Sequence, residues 1–223
     1  VPDGTVLFEL NHIMESQDAA LETLVTVSRK YLPGDPELVG HRIVHGGPTL
    51  IDHQQIDDAL LLELRRAEHF APLHIPKSLA LIARSQDLFP NTPSFACFDT
   101  AFHLTLPKVA KYFAISASLA EKGIYRDGFH GLSYESIVHR LGSALPKRVV
   151  LAHLGSGSSL CAVRSGVSID TTMGLTPTGG IPMATRSGDL DPGVLLFLLR
   201  SEHKTVDELV HMLNSQSGWA AIS

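Results

Sequence analysis

Cysteine, tryptophan, long apolar runs and an excess of either charge are all scarce in this sequence. Two cysteines occur in 223 residues, Cys97 and Cys161. Each lies in an apolar stretch, Phe95-Ala96-Cys97-Phe98 and Leu160-Cys161-Ala162-Val163. That setting reads as a buried free thiol in a reducing, cytoplasmic compartment rather than one half of a disulfide. No apolar run approaches the ~20 residues of a membrane helix, and no signal-peptide pattern is visible. Lys+Arg 18 against Asp+Glu 23 gives a formal net charge of -5. That balance argues against nucleic acid or an anionic membrane as a general partner, but leaves room for a small anion held by local cations. Internal repeats and low-complexity segments are absent. The 12 histidines show neither HExxH nor Cys/His zinc spacing. The nearest pair, His41 and His45, falls on one face of a predicted strand, while His53, His69, His139, His203 and His211 read as surface or packing residues.

What is present is an ordinary globular composition, long enough for one large domain or two small ones. Ser16 is placed to cap a helix with Leu21, Leu24, Val25, Tyr31 and Leu32 on one side, broken by Pro33-Gly34-Asp35-Pro36. A strand is predicted from residue 38 to about 46, helices over 56–68 and 77–87, a short buried strand over 94–98 and a helix over 133–141. After residue 147 the β-branched run Val149-Val150-Leu151-Ala152, residues 160–163 and residues 167–171 read as a meander of antiparallel strands. Helices follow over 192–200 and from Thr205, where Thr205 and Glu208 have capping-box spacing. Strands mixed with helices indicate an α/β class.

Polar residues gather beside glycine at predicted strand ends, where α/β folds place ligands. In Gly40-His41-Arg42-Ile43-Val44-His45-Gly46-Gly47 the guanidinium can grip a carboxylate or phosphate at two points, or pair with a structural carboxylate. In Phe98-Asp99-Thr100-Ala101-Phe102-His103 the carboxylate can act as a base, bind a metal or cap a turn. The glycines around His130 in Asp127-Gly128-Phe129-His130-Gly131-Leu132-Ser133 let backbone approach a ligand closely. His153-Leu154-Gly155-Ser156-Gly157-Ser158-Ser159 lies between two strands. It can converge N–H groups on an anion or be a simple glycine hairpin, and it is no Walker A loop because no Lys follows. Arg186, in Thr185-Arg186-Ser187-Gly188-Asp189-Leu190-Asp191-Pro192, either stabilises phosphoryl charge or pairs with Asp189 or Asp191.

Taken in order, these blocks together with Ala71-Pro72-Leu73-His74 resemble the acetate kinases, a likeness running from about Leu38 to Ser223. The resemblance implies an incomplete actin-like ATPase fold of ribonuclease-H-like type, a mixed sheet with flanking helices and two domains about a cleft. Residues 1–147 would be its substrate side and 148–223 the start of its nucleotide-binding half. The implied reaction is acetate plus ATP giving acetyl phosphate and ADP, with Mg2+, in a cytoplasmic homodimer; acetate, propionate and butyrate are not distinguished. By motif, Arg42 would bind the substrate carboxylate, with Val44, Leu73, Phe129 and Pro177 forming its apolar pocket. Asp99 would be the active-site acid, His130 and Arg186 would stabilise the phosphoryl group in flight, and His74 and His153 would line the site. His153, Leu154, Gly155, Ser156 and Gly157 would form the nucleotide phosphate loop.

The sequence also departs from the family pattern. An N-terminal Asn-Ala-Gly-Ser-Ser strand and a C-terminal adenosine-binding region with a metal-binding Glu are absent, so the chain reads as truncated at both ends. Alone it is expected to bind ATP weakly and to form no acetyl phosphate. Ser156 stands in place of Asn, Thr178-Gly179-Gly180 in place of Leu-Glu-Gly, and Ile75 in place of Asn. Two other readings compete: a non-catalytic binding or assembly domain derived from this fold, and a His-rich metal hydrolase.

Overall fold

The computed structural model describes Val6, Glu9 and residues 14–223 apart from Pro33, Leu73 and the side chain of Gln17. Helix α1, Gln17–Tyr31, starts where Ser16 accepts a hydrogen bond from the Ala19 N–H at 3.1 Å. Val25 is its buried side chain, whereas Leu24 stands 62% exposed, so the apolar stripe expected along α1 is only partly covered.

Strand β1, Val39–Ile43, stops short of the predicted end, and His45 lies beyond it rather than on one strand face with His41. Gly46 belongs to the turn that follows, where the Leu50 N–H donates to its carbonyl and a Cβ would meet the Leu50 carbonyl oxygen at 2.0 Å. Strand β2, Gln54–Gln55, precedes α2, Asp58–Arg66, which Asp57 caps through the Leu60 N–H. Helix α3, Ile75–Leu88, carries Pro76 in its first turn, where a missing N–H removes no helical bond. Strand β3, Ser94–Phe98, then enters the middle of a sheet of order β1-β3-β2, parallel to β1 and antiparallel to β2. Ile43, Ala96 and Phe98 from the strands pack with Leu60, Leu64 and Ile82 from α2 and α3 as the first core.

Short helices α4, Lys108–Lys111, and α5, Ala117–Ala120, lead to α6, Gly131–Leu141. Beyond it, β4, Arg148–Leu154, β5, Ser158–Arg164, and β6, Val167–Thr171, form the expected antiparallel meander in the order β4-β5-β6. The mixed sheet anticipated from sequence is thus joined by a second, wholly antiparallel one. Alternation along β5 turns Ser159, Cys161 and Val163 inward, and Cys161 and Val163 cluster with Tyr134 of α6 and Leu151 of β4. Cys97 and Cys161 are both free. Helix α7, Pro192–Arg200, is capped by Asp191, and α8, Val206–Ser215, has the full Thr205–Glu208 capping box; α9, Trp219–Ile222, follows.

Gly131 joins the two halves of this arrangement. Its N–H donates to the Asp99 carbonyl at 2.8 Å, and a Cβ in its place would lie 2.2 Å from that oxygen. Gly131→Ala is therefore expected to push α6 off the end of β3 and lower the unfolding free energy by about 1–3 kcal/mol. Urea denaturation measures this, and an unchanged midpoint would show the contact to be slack.

Candidate functional site

The ends of β1 and β3, the start of α6 and the β4–β5 turn face one cleft of about 520 Å³. Parallel pairing aligns Ile43 with Phe98, so Arg42 and Asp99 emerge side by side from adjacent strand ends. The Arg42 Nε donates to both Asp99 carboxylate oxygens at 3.1 Å, and Nη2 donates to Oδ2 at 2.5 Å. Asp99 is buried, but 59% of the Arg42 side chain stays open to the cleft. The Asp99 hydrogen bond, assisted by its charge and opposed by burial, raises the Arg42 pKa. The pairing with a carboxylate and the position in the site therefore hold together: Asp99 grips one edge of the guanidinium, and the other is free for an anion.

Arg186 approaches from the opposite wall. Its Nη1 donates to the Pro177 carbonyl at 3.2 Å and makes no ion pair with Asp189 or Asp191, whose carboxylates accept from the Gly180 and Gly193 N–H groups instead. Burial, and then the Arg42 charge, lower the Arg186 pKa. An anion between the two guanidiniums relieves that mutual repulsion. His74 stands nearby, its pKa lowered by burial and then by the charges of Arg186, Arg42 and Lys77, with Asp99 opposing.

His130 has a left-handed backbone, φ 59, and starts α6 abruptly. Its ring stacks on His153 with centroids 4.0 Å apart and planes 21° apart. Burial, followed by the neighbouring charges of His153, Arg42, Arg186 and His103, pushes its pKa down to about 4, so the imidazole is neutral at neutral pH. The His153 Nδ1 lies 3.0 Å from the Ser133 hydroxyl. In the β4–β5 turn, a Cβ on Gly157 would sit 3.1 Å from Arg186 Nη1 and 3.2 Å from His130 Nε2, which explains glycine there. The Gly155 N–H is taken by the Gly157 carbonyl at 3.1 Å. Among the described residues, the N–H groups of Ser156 and Gly157 remain without a hydrogen-bond partner and are the free donors of the loop.

The apolar floor consists of Val44 and Phe129, clustered with Met173 and Met183, while Pro177 closes one side. Two buried histidines hold that floor from behind. His103 lies 3.0 Å from the Phe129 carbonyl through Nε2 and 2.9 Å from the Ser168 hydroxyl through Nδ1. Burial pushes its pKa down to about 4, partly opposed by the Phe129 carbonyl. His45 accepts the Gly47 N–H at Nδ1, and its Nε2 stands 3.2 Å from Asp127 Oδ2 at an angle too poor for a hydrogen bond. The Asp127 pKa is raised by burial, with His45 acting against the shift.

Of the residues singled out by sequence, Arg42, Val44, His74, Asp99, Phe129, His130, His153, Gly155, Ser156, Gly157, Pro177 and Arg186 all line the cleft. Leu73 lies outside the described residues. Leu154 does not line this cleft: its side chain is 74% exposed on the face of β4 opposite His153, as two-residue alternation requires. Leu132 and Ser133 line the cleft as well, and sequence reading passed over them although both lie in the block around His130. Tyr134 and Ser159, behind His130, were also missed. The four-residue step from His130 to Tyr134 at the start of a helix was the available signal. Among the described residues, no group of three or more His, Cys, Asp or Glu side chains could hold a metal. Asp99, the carboxylate of the cleft, is engaged by Arg42, so these residues do not make a Mg2+ cage.

The geometry of an α/β chain with an anion-binding cleft between strand ends and a glycine turn has close parallels. The model of the acetokinase family matches residues 6–223. The acetate kinase of Thermosynechococcus vestitus is 42% identical across 91% of this chain and 50% of its own length. The propionate kinase of Citrobacter rodentium is 44% identical across 84% of this chain and 48% of its own. The crystal structure of a propionate kinase from Francisella tularensis superposes with a TM-score of 0.85 at 37% identity, covering 93% of this chain and 55% of that one. The fold is thus that of the actin-like ATPases. The chain belongs to the acetokinase family, and it spans about half the length of the curated relatives it matches.

The suppressed imidazoles predict a pH dependence of stability. As pH falls through the ordinary value of 6.5, the unfolded chain takes up protons at positions 103 and 130, and the folded chain does so only near 4. The unfolded state binds more protons in that interval, so stability rises with pH across it. Stability should be fully present above about pH 6.5 and decline towards pH 4, by up to roughly 3 kcal/mol per buried imidazole. Asp127, with its pKa raised, works in the opposite direction at the acid end. Chemical denaturation at stepped pH measures the slope, and His103→Gln should flatten part of it. Equal stability at pH 7 and pH 4.5 would contradict the assignment of buried neutral histidines.

Proposed function

We propose that this chain provides the carboxylate site and part of the phosphate site of a short-chain carboxylate kinase, with acetate or propionate as substrate. The observation that carries the proposal is the meeting of two guanidiniums, a neutral imidazole and a glycine turn over a small apolar floor. Residues 1–147 supply the substrate side and residues 148–223 the beginning of the nucleotide side. The family resemblance further supports ATP and Mg2+ as requirements, a homodimer and a cytoplasmic setting.

In the proposed reaction a carboxylate oxygen of the acid attacks the γ-phosphorus of ATP. The new O–P bond forms as the bond from γ-phosphorus to the β,γ-bridging oxygen breaks, giving acyl phosphate and ADP. The nucleophile is already an anion, so no base is required, which fits an Asp99 occupied with Arg42. Arg42 orients the carboxylate through its open edge while the methyl or ethyl group rests on Val44, Phe129 and Pro177. Arg186, with no carboxylate partner among the described residues, meets the charge that grows on the equatorial phosphoryl oxygens. His130 and the turn N–H groups donate to the same oxygens.

A hydroxylamine trap for acyl phosphate tests the proposal, using ATP, Mg2+ and acetate, propionate or butyrate. It applies to the 223-residue chain and to any longer gene product carrying it. Arg42→Lys keeps a charge but loses the fork, and should raise the KM for the acid about ten- to a hundredfold, the equivalent of one charged hydrogen bond of roughly 1.5–3 kcal/mol. Arg186→Ala should lower kcat far more than it changes either KM, because its partner charge develops in the transition state. Anion binding without acyl phosphate in any folded form would favour a binding domain. A rise in KM with kcat intact would move Arg186 to ground-state binding.

A further inference from the structure

Behind His130 lies a set of hydroxyls that the phosphoryl chemistry does not itself require. Ser159 faces the core from β5 with no exposed surface, and Tyr134 is equally buried one helical turn beyond His130. The Ser159 Oγ stands 2.8 Å from His130 Nδ1 and 2.5 Å from the Tyr134 hydroxyl. Three bonding groups thus meet at one buried oxygen, and the protons can be counted.

The Tyr134 hydroxyl has one proton, and among the described residues Ser159 Oγ is the hydrogen-bond partner within its reach. The Tyr134 proton therefore points to Ser159, and the Ser159 proton is left to point to His130 Nδ1. If Nδ1 were the protonated nitrogen, it would donate to Ser159. One buried hydroxyl proton, of Ser159 or of Tyr134, would then have no acceptor, which folded interiors avoid. A single direction satisfies all three groups. Nδ1 accepts, and the imidazole proton sits on Nε2, the atom beside Arg186 Nη1 and Gly157 at the cleft.

We propose that Tyr134 and Ser159 are positioning residues that lock His130 in its Nε2–H tautomer, through a one-way chain from Tyr134 to Ser159 to His130 Nδ1. His130 then presents a donor to an anion in the cleft and cannot present a lone pair. This rests on the proposed function only for its consequence in catalysis; the tautomer itself is a property of the folded chain. Arg186 and the turn N–H groups are donors too, so an accepting Nε2 beside them would repel the same phosphoryl oxygens they attract.

Nitrogen-15 NMR of the histidine-labelled 223-residue chain near neutral pH reads the tautomer directly, with His130 assigned by its loss in His130→Gln. The expected result is a neutral ring with Nε2 protonated and Nδ1 bare. Ser159→Ala removes the hydroxyl that donates to Nδ1, so a measurable Nδ1–H population should appear, whereas Tyr134→Phe leaves the Ser159 proton no acceptor but Nδ1 and should keep the tautomer. In the catalytic assay of a form that turns over, Ser159→Ala should lower kcat about tenfold or more and Tyr134→Phe by less, with less than about a twofold change in either KM. Nδ1–H or a charged ring in the parent chain overturns the proposal whether or not a variant folds, as does a tautomer unchanged by Ser159→Ala. A locked Nε2–H tautomer with no acyl phosphate formed by any folded form, a longer gene product included, would instead sink the kinase reading and leave the lock standing.

Discussion

Asp99 is tied in three directions, and the site depends on all of them. Its N–H donates to the Ile43 carbonyl, continuing the parallel pairing of β1 and β3 by one residue. Its carbonyl receives the Gly131 N–H and fixes the start of α6. Its carboxylate holds Arg42. The residues on either side of the future anion, Arg42 and His130, are thereby referred to one backbone unit rather than to two independent loops. Asp99 is buried and Arg42 is more than half exposed, so removing Arg42 strands a buried carboxylate, whereas removing Asp99 frees an arginine that already faces the cleft. The ion pair is therefore a constraint on geometry more than a source of net stability.

The electrostatic design follows from who is paired and who is not. Arg42 is paired with Asp99, Arg186 bonds among the described residues only a carbonyl and a thioether, and His130 is kept neutral by burial and by neighbouring charges that include both arginines. The local field is positive although the chain as a whole is acidic. An imidazolium at His130 would add a third cation to two that already repel. A neutral ring supplies direction without that penalty.

Much of this was legible in the sequence, for local reasons. Ser16 and the Thr205–Glu208 box announce helix starts because caps act within one turn. The strand over 94–98 and the meander after residue 147 followed from apolar β-branched runs broken by glycine turns. The paired two-residue strand at Gln54–Gln55 carries no pattern of its own and exists because β3 offers an edge. Arg42 and Asp99 were each legible as candidates, but their contact, 57 residues apart in sequence, came only with the strand register. Leu154 falls off the cleft because a motif is read as contiguous, whereas a strand sends neighbours to opposite faces. Ser159 looks like one more small residue after a glycine turn until the core closes over it.

The floor formed by Val44, Phe129, Met173 and Met183 has a consequence for how such a protein diversifies. None of those four side chains touches the charges above them through a hydrogen bond other than the Met183 sulfur at Arg186. Thioethers are unbranched and polarisable and accommodate changes of shape at little cost. Under the proposed reaction, depth of the floor sets which acid fits, and one methylene alters preference by only about 1–3 kcal/mol. Chain-length choice and phosphoryl handling are therefore separable traits. A lineage can retune the first by exchanging buried apolar residues one at a time while the charged rim passes unchanged from ancestor to descendant.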